Sequence, residues 1–323
     1  MRNRQKADIS VVVATYNGEL FLEKQLQSIL NQTILPSEII ICDDCSNDET
    51  IKILDELRNK NNLIKVFLNK ENIGFQKNFI KAIEKSTCNY IALSDQDDIW
   101  TSNHLELLYN VLLENDTDLA CGVSIQCDEE DRLISKPSFS KIRVDSLKNM
   151  QFENLIHGNF VQGSACMFKR KLFNAACPFP DSNYVFHDYW LALNAVMNNG
   201  LSFIHEPILY YRCHGSSITN SGSMDLFSKY KRKINNFFKP EHLEPIKRTY
   251  YTLLYFKDKY NFPNDYSKKL DDVIMFFESL VNGKRRLYCL RYYFSNMRKI
   301  SKDVNCLGGI IRAVKWFVFC WNN

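Results

Sequence analysis

Along the first hundred residues the apolar positions alternate between two rhythms. Ile9–Ala14 is a short β-branched run, after which Leu22, Leu26, Ile29 and Leu30 fall on one helical face. Ile39–Cys42 predicts a second strand, followed by Asn47 or Asp48 as a helix cap and by Ile53, Leu54 and Leu57 on a stripe. Ile64–Leu68 predicts a third strand, Phe75, Phe79, Ala82 and Ile83 a third amphipathic helix, and Tyr90–Leu93 a fourth strand. Strands separated by helices of this length predict an α/β fold with a mostly parallel sheet covered on both faces. After Asp118 the pattern is mixed, with strands over Gly163–Phe168 and Leu201–Tyr211 and a helix from about Asp188 to Met197. Beyond Asp225 the chain turns helical, aromatic and basic, with Phe237-Phe238, Tyr250-Tyr251 and Tyr292-Tyr293-Phe294. Ser, Gly and Asn cluster near Gly222 and mark a predicted boundary.

Composition sharpens this picture. With 323 residues and 45% hydrophobic content, the chain is long enough for a large core plus an appendage. The net charge of +4 is unevenly spread: 20 Lys and Arg face 8 Asp and Glu from Lys229 onward, so the front is acidic and the tail basic. An acidic front suits a divalent cation and a basic tail an anionic partner. Eleven scattered cysteines, an odd number, fit a reducing compartment, hence a cytoplasmic location. Cys42 and Cys45 form a CxxC, but no second pair supplies the other zinc ligands, and strand-end packing is the reading for the pair. Arg2, Arg4 and Lys6 imitate a signal-peptide start, yet the apolar run behind them ends at Ala14 and reads as a strand. No stretch reaches the roughly 18 apolar residues that a membrane span requires.

Three predicted strand ends carry polar signatures: Thr15-Tyr16-Asn17, Asp43-Asp44 and Asp95-Gln96-Asp97-Asp98. In open α/β sheets ligands bind beyond the carboxyl ends of the strands, so all three should face one crevice. Three carboxylates in four residues repel one another beside a core unless a cation compensates, and oxygen ligands suit Mg²⁺ or Mn²⁺. A solvated turn with Asp98 as a helix cap is the plainer reading of the same cluster. One aspartate of Asp43-Asp44 is placed to accept from a pyrimidine N–H or a ribose hydroxyl, with turn formation as its alternative. Neither G-x-x-x-x-G-K-[ST] nor G-x-G-x-x-G occurs, which disfavours kinases, ATPases and dinucleotide dehydrogenases. His187-Asp188-Tyr189-Trp190 opens the later helix, where Asp188 is either a base catalyst or a residue favoured by the helix dipole. Tyr211-Arg212-Cys213-His214-Gly215 ends a strand, where Arg212 and His214 are candidates to face a leaving diphosphate, with a structural role as the plainer reading of the lone His214.

Taken in order and spacing, these pieces resemble the family 2 inverting glycosyltransferases of GT-A fold, over roughly Asp8 to Ser217. The resemblance rests on Ser10–Asn17, Leu26–Thr33, Ile40–Asp48, Asn72-Ile73-Gly74 to Asn78, Ser94–Trp100, His187–Trp190 and Tyr211–Gly215. It implies that Thr15, Tyr16, Asn17 and Asp44 line the nucleotide pocket, with Lys77 and Asn78 near base, ribose or phosphates. It implies donor contacts from Asp95, Gln96 and His214, a metal held by Asp95 and Asp97, and Asp188 as general base. Tyr189 and Trp190, beside that base, are expected to stack on an acceptor sugar. Cys45 stands where the family usually has Gly, and the segment from Leu226 onward matches no named pattern. The Asp-Gln-Asp-Asp-Ile-Trp and His-Asp-Tyr-Trp forms are similar to the rhamnosyltransferase-type members.

The expected organisation is a catalytic domain over 1–222, its nucleotide-sugar half about 8–100 and its acceptor half about 118–222, then a helical extension over 223–323. The expected partners are a UDP- or dTDP-sugar donor and a glycan or lipid-linked glycan acceptor, with Mn²⁺ or Mg²⁺ as cofactor and no nucleic acid. Surface polysaccharide assembly is the implied setting. Two rivals differ in class. One is a non-catalytic member that only binds nucleotide-sugar or glycan, although every expected carboxylate is present. The other is a receiver domain phosphorylated on Asp43 or Asp44, which needs a lysine at a late strand end, and none stands there before Asp118. In the tail, Ile310, Ile311, Val314, Phe317 and Val318 lie near one helical face beside Trp316 and Trp321. That face is expected either at the cytoplasmic surface of the inner membrane or packed on protein.

Overall fold

The computed structural model describes residues 5–134, 151–214 and 244–300. The first four strands are β1 (Ile9–Thr15), β2 (Glu38–Asp43), β3 (Ile64–Leu68) and β4 (Tyr90–Ser94). Helices α1 (Leu22–Leu30), α2 (Thr50–Lys60) and α3 (Phe75–Lys85) cross between them. Ile9, Val11, Val12 and Val13 are all fully buried, which is why β1 reads as an unbroken apolar run rather than an alternating one. It lies parallel to β2, with Val11 opposite Ile39, and parallel to β4, with Val11 opposite Ala92.

Downstream, β5 (Ile99–Trp100) leads into α4 (His104–Asn115), and β6 (Leu119–Cys127), β7 (Cys166–Lys169) and β8 (Leu201–Arg212) complete an eight-stranded sheet. Its order is β3-β2-β1-β4-β7-β6-β8-β5. The expected strand over Gly163–Phe168 begins as a 3₁₀ turn at Gly163–Ala165, and only Cys166–Lys169 joins the sheet. Strand β7 runs antiparallel to both β4 and β6, and β5 antiparallel to β8, whereas β6 and β8 are parallel. Mostly parallel thus describes the β3-β2-β1-β4 half, and the other half is mixed.

The described residues of Met1–Ser140, Val161–Cys177 and Asn194–Ser223 form one compact unit, which holds the whole sheet. Those of Lys141–Phe160, Pro178–Leu193 and Met224–Asn323 form a second. Packing therefore groups pieces that are far apart in the chain, and the expected boundary at Gly222 lies outside the described residues. In the second unit stand helix α5 (Gln151–Leu155) and the helices Glu244–Lys259, Asn264–Val281 and Arg286–Ile300, so the expected helical C-terminal region is present. Its interior is aromatic: Phe256 and Phe276 are fully buried, and Phe152 lies against Phe256 and Phe262 at ring separations of 6.4 and 5.9 Å. The expected tail helix around Ile310–Val318 lies outside the described residues. No helix among the described residues is long and apolar enough to cross a membrane.

At the amino-terminal edge of the sheet, Glu38 is a buried carboxylate. Its Oε1 accepts from the Ser10 hydroxyl at 2.6 Å and from the Thr87 N–H at 2.6 Å, and its Oε2 from the Lys65 ammonium at 2.7 Å. Burial alone pushes the carboxyl up, but Lys65 and the hydroxyl and amide donors outweigh it and hold the pKa at about 2, below the ordinary 4.5. A depressed carboxyl pKa stabilises the fold above its unfolded value and loses that contribution as pH falls through the folded one. Because Lys65 is half exposed, screening trims the effect to about 2 kcal/mol. Wild type should therefore lose about that much stability, relative to Glu38→Gln, between pH 4.5 and 2. Denaturant titrations at several pH values read the difference, and parallel pH curves for the two proteins would refute it.

Candidate active site

From β1 the chain steps outward to β2 and β3, then returns to the other side of β1 for β4. At such a reversal the loops after the two neighbouring strands diverge, and a crevice opens between them. Thr15-Tyr16-Asn17 follows β1 and Asp95-Gln96-Asp97-Asp98 follows β4, so the reversal sets these two motifs side by side. Asp43-Asp44 ends β2, next to β1.

Hydrogen bonds stitch these loops together. Asp43 is fully buried and organises its own turn, accepting from the Thr15 hydroxyl at 2.8 Å, the Ser46 hydroxyl at 2.6 Å and the Ser46 N–H at 2.8 Å. Asp44 accepts from the Asn69 amide at 2.8 Å and from the N–H groups of Ile73 and Gly74 at 2.9 and 2.8 Å. These bonds fill three of roughly four acceptor positions of the carboxylate, leaving one. Gly74 has φ +85°, a conformation that a side chain would strain, and it opens α3 against that carboxylate. Asn17, at φ +48°, donates its N–H to Ser46 Oγ at 2.9 Å and accepts from the Asn47 N–H at 2.9 Å. Cys45 adopts φ +68° itself, so the turn keeps the shape that a glycine usually supplies. Cys42 is buried at the strand end, as expected, but Cys45 is exposed in the turn, so strand-end packing describes only the first of the pair.

The acidic loop is balanced residue by residue. Asp97 Oδ2 pairs with His214 Nε2 at 2.7 Å. Asp98 is not the solvated cap of the plainer reading: it is fully buried, and its Oδ1 accepts the Arg212 N–H at 3.2 Å. Burial, with Asp97 and Asp95 alongside, pushes the Asp98 carboxyl well above the ordinary range. Arg212 is buried to 1% exposure, and its guanidinium points inward rather than to a diphosphate. Its Nε donates to the Asp97 carbonyl at 2.8 Å, its Nη1 to the Glu129 carbonyl at 3.0 Å and to Asp131, and it stacks on Phe21 at 4.7 Å. Lys24 takes the other oxygen of Asp131, and the His214 ring lies 4.9 Å from Phe21.

In the first unit Thr15–Asn17, Asp44 and Asp95–Asp97 stand at the ends of β1, β2 and β4, with Gln96 on Tyr16 and His214 on Asp97, while Lys77 and Asn78 lie in the first turn of α3. Several expected roles change in detail. Asn78 is 1% exposed, donating to the Cys42 carbonyl at 2.7 Å and accepting from Asn69 at 3.0 Å, so it braces α3 on β2 rather than meeting base or phosphate. The Gln96 amide is engaged with the Tyr16 backbone at both ends. Asn69, Phe21, Lys24 and Asp131 were not singled out from the sequence. Only Asn69 and Asp131 had a signal there, in the Asn-rich stretch after β3 and the acidic Asp128–Asp131 stretch.

Asp188 opens helix α6 (His187–Met197) and accepts the Tyr189 N–H at 2.6 Å. Tyr189 and Trp190 correct an expectation. They are 3% and 1% exposed, the Tyr189 hydroxyl donates to the Leu155 carbonyl at 2.6 Å, and Trp190 packs edge-on against Phe256. Rings so enclosed are core of the second unit and cannot stack on a sugar. Next to them His187 is buried, which lowers its pKa to about 4 and keeps the imidazole neutral.

For a divalent cation the chemistry of the donors fits. Asp95 and Asp97 are oxygen ligands two residues apart on one loop, and Mg²⁺ or Mn²⁺ binds through one or two carboxylates plus phosphate oxygens and water. Among the described residues no group of three His, Cys, Asp or Glu side chains forms a ready metal cage.

Arg212 is the tie between the acidic loop and the chain after β6. Replacing it with Met removes the bonds to the Asp97 and Glu129 carbonyls and to Asp131, and should cost about 3–5 kcal/mol. Lysine recovers only part of this, because one ammonium cannot span the guanidinium's partners. Equilibrium unfolding of both variants measures it, and a loss below about 1 kcal/mol for Arg212→Met would remove the residue from this role.

The comparisons agree with this geometry. Residues 10–176 match the family model Glycosyl transferase family 2. An uncharacterized glycosyltransferase of Haemophilus influenzae is 30% identical over 251 residues, covering 76% of this chain and 94% of that one. The dTDP-rhamnosyl transferase RfbG of Shigella flexneri is 28% identical over 237 residues, covering 68% and 77%. Among solved structures, S. aureus TarS 1-349 in complex with UDP-GlcNAc aligns over 97% of this chain and 81% of its own, at TM-score 0.58 and 16% identity. That likeness concerns the fold, which is the GT-A fold of glycosyltransferases. With its strand-end motifs, its sheet and its relatives in agreement, this chain belongs to glycosyl transferase family 2.

Proposed function

We propose that the protein transfers one sugar from a UDP- or dTDP-sugar to an acceptor hydroxyl, with inversion at the anomeric carbon, in bacterial surface polysaccharide assembly. The observation that carries this reading is the convergence of the β1, β2 and β4 loops at the chain reversal, with the Asp95–Asp97 pair beside the loop that starts at Tyr16. A similar protein is named as a dTDP-rhamnosyl transferase, another in Escherichia coli as a UDP-Glc-dependent glucosyltransferase acting on a diphosphoundecaprenol substrate, and TarS was solved with UDP. Those names support the nucleotide choice and a lipid-linked or free glycan as acceptor.

In this reading the remaining acceptor position of Asp44 takes a donor N–H or hydroxyl of the nucleoside, and Tyr16, which is 46% exposed, offers its ring to the base. Asp95 and Asp97 would hold Mn²⁺ or Mg²⁺, and such an ion offsets the charge that grows on a departing diphosphate. His214 keeps Asp97 oriented through their short hydrogen bond. Asp188 accepts the acceptor's hydroxyl proton as the new C–O bond forms and the bond from the anomeric carbon to the diphosphate breaks. An unassisted hydroxyl is a poor nucleophile, so the base carries part of the rate. The helix start holds Asp188 in place, because its Oδ1 is already anchored by the Tyr189 N–H.

Two variants test this reading. Asp97→Ala should abolish transfer and Mn²⁺-dependent nucleotide binding while the protein stays folded, since relieved repulsion from Asp95 and Asp98 offsets much of the lost bond to His214. Full activity of wild type in EDTA, or near-normal turnover of the variant, would overturn the cation assignment. Asp188→Asn keeps the oxygen that Tyr189 needs and removes the base, so transfer should fall by ~10²–10⁴ while donor affinity persists. Rate and affinity are measured on the same preparation. If both collapse together, Asp188 is structural, and if neither changes, the base lies elsewhere, with Asp181 the next residue to test.

A further inference from the structure

Between the two aspartates proposed to hold a cation stands Gln96, and its side chain is committed to a different loop. Its Oε1 accepts the Tyr16 N–H at 2.8 Å, and its Nε2 donates to the Tyr16 carbonyl at 2.9 Å. The side-chain amide pairs with the N–H and the carbonyl of one residue, as a neighbouring strand would, 80 residues away in sequence. Strands β1 and β4 are adjacent, but beyond Val13 and Ser94 their main-chain ladder has ended. Gln96 continues the pairing past that point, across the divergence where the crevice opens.

Gly18 makes room for it. A Cβ at this position would lie 2.4 Å from Gln96 Oε1 and 2.8 Å from its Cδ, closer than real contacts allow. No left-handed φ accounts for this glycine, so space is its reason. Gln96 itself cannot swing aside without losing both bonds to Tyr16. From Tyr16 the linkage runs on, because Asn17 is tied to Ser46 and Asn47, and Gly18 donates its N–H to Thr50 Oγ1 at 2.8 Å. The loop that would meet the nucleoside is thus mechanically continuous with the loop that would meet the cation.

We infer that Gln96 is a positioning residue that couples nucleotide binding at the Tyr16–Gly18 loop to divalent-cation binding at Asp95 and Asp97, with Gly18 as its seat. The inference rests on the proposed donor site. A cation that draws the Asp95 and Asp97 carboxylates together moves the backbone of the residue between them. The two amide bonds pass that movement to Tyr16. By linkage the effect is reciprocal: nucleotide tightens cation binding by the factor with which the cation tightens nucleotide.

The test is calorimetric titration of UDP and dTDP with and without Mn²⁺, on wild type, Gln96→Leu, Gln96→Glu, Gly18→Ala, Gln96→Ala and the Gln96→Ala/Gly18→Ala pair, with thermal melts alongside. Gln96→Leu keeps the bulk and removes both bonds. It should weaken nucleotide binding about tenfold in the presence of Mn²⁺ and shrink the Mn²⁺ enhancement, with little change in melting temperature. Gln96→Glu keeps an acceptor for the Tyr16 N–H but sets a carboxylate against its carbonyl, and should behave alike. Gly18→Ala should match Gln96→Leu on its own, yet add nothing further to Gln96→Ala, where the clashing amide is gone. An enhancement that is unchanged in Gln96→Leu overturns the coupling and leaves the donor site standing. Additive losses in the pair overturn the seat assigned to Gly18. A wild type that binds neither nucleotide overturns the donor site, and the coupling with it.

Discussion

Three carboxylates within four residues, at the end of a strand buried on both faces, form a repulsive cluster that the fold must neutralise. Arg212 fixes the loop that carries it, through its N–H on the Asp98 carboxylate and its guanidinium on the Asp97 carbonyl. A guanidinium stays charged even when buried, so it has to be paired and hydrogen-bonded where it lies. It meets the Asp97 carbonyl, the Glu129 carbonyl and Asp131, and Lys24 shares Asp131 from outside. His214 answers Asp97, and burial turns Asp98 towards its neutral form. What is left for chemistry is a short stretch, Asp95 to Asp97, held at a fixed place on the edge of the sheet.

The second constraint is topological. Because the chain reverses at β1 and β4, no crossover helix closes the gap between the loops that follow them, and their polar side chains are the means of bridging it. The loops after β1 and β2 meet through Asn17, Ser46 and Asp43, and those after β2 and β3 through Asp44 and Asn69. Many of the polar side chains that resemble ligand contacts in the sequence are therefore occupied in holding one another. This is how a rigid pocket can be built from loops: most donors and acceptors are spent internally, and the few that remain are aimed. Asp44 shows the principle, with most of its acceptor capacity used on the start of α3.

The second unit follows a different logic. Its described helices bury an aromatic interior in which Trp190, Phe256 and Phe276 are nearly inaccessible, while cations lie over ring faces at its margins, as with Arg248 over Phe186 at 4.1 Å. The basic character of the tail is therefore partly structural, because Lys and Arg cover aromatic faces there. Asp188 stands at the start of a helix anchored in that interior by its own neighbours Tyr189 and Trp190. The two aromatic residues support Asp188 from below.

Local pattern was enough to read the α/β frame. The strand Ile64–Leu68 appears where its apolar run places it, β1 and β4 run one residue longer than expected at their carboxyl ends and β2 one residue longer at each end, and the polar strand ends were legible as one edge. Periodicity reports which face is buried, and continuous β-branched runs report burial on both. The ordered motifs carried the family as well. Tertiary structure decided everything that depends on distant partners: the antiparallel insertion of β7, the inward turn of Arg212, the burial of Asp98, and the engagement of Gln96 with the backbone of a residue 80 positions away. A side chain's residue type states how many hydrogen bonds it can make, but only packing states with whom. For Gln96, Asn78, Tyr189 and Trp190 the same residues that look like ligand contacts in sequence are satisfied inside the protein, because a buried polar or aromatic group takes the nearest partner that the fold brings to it.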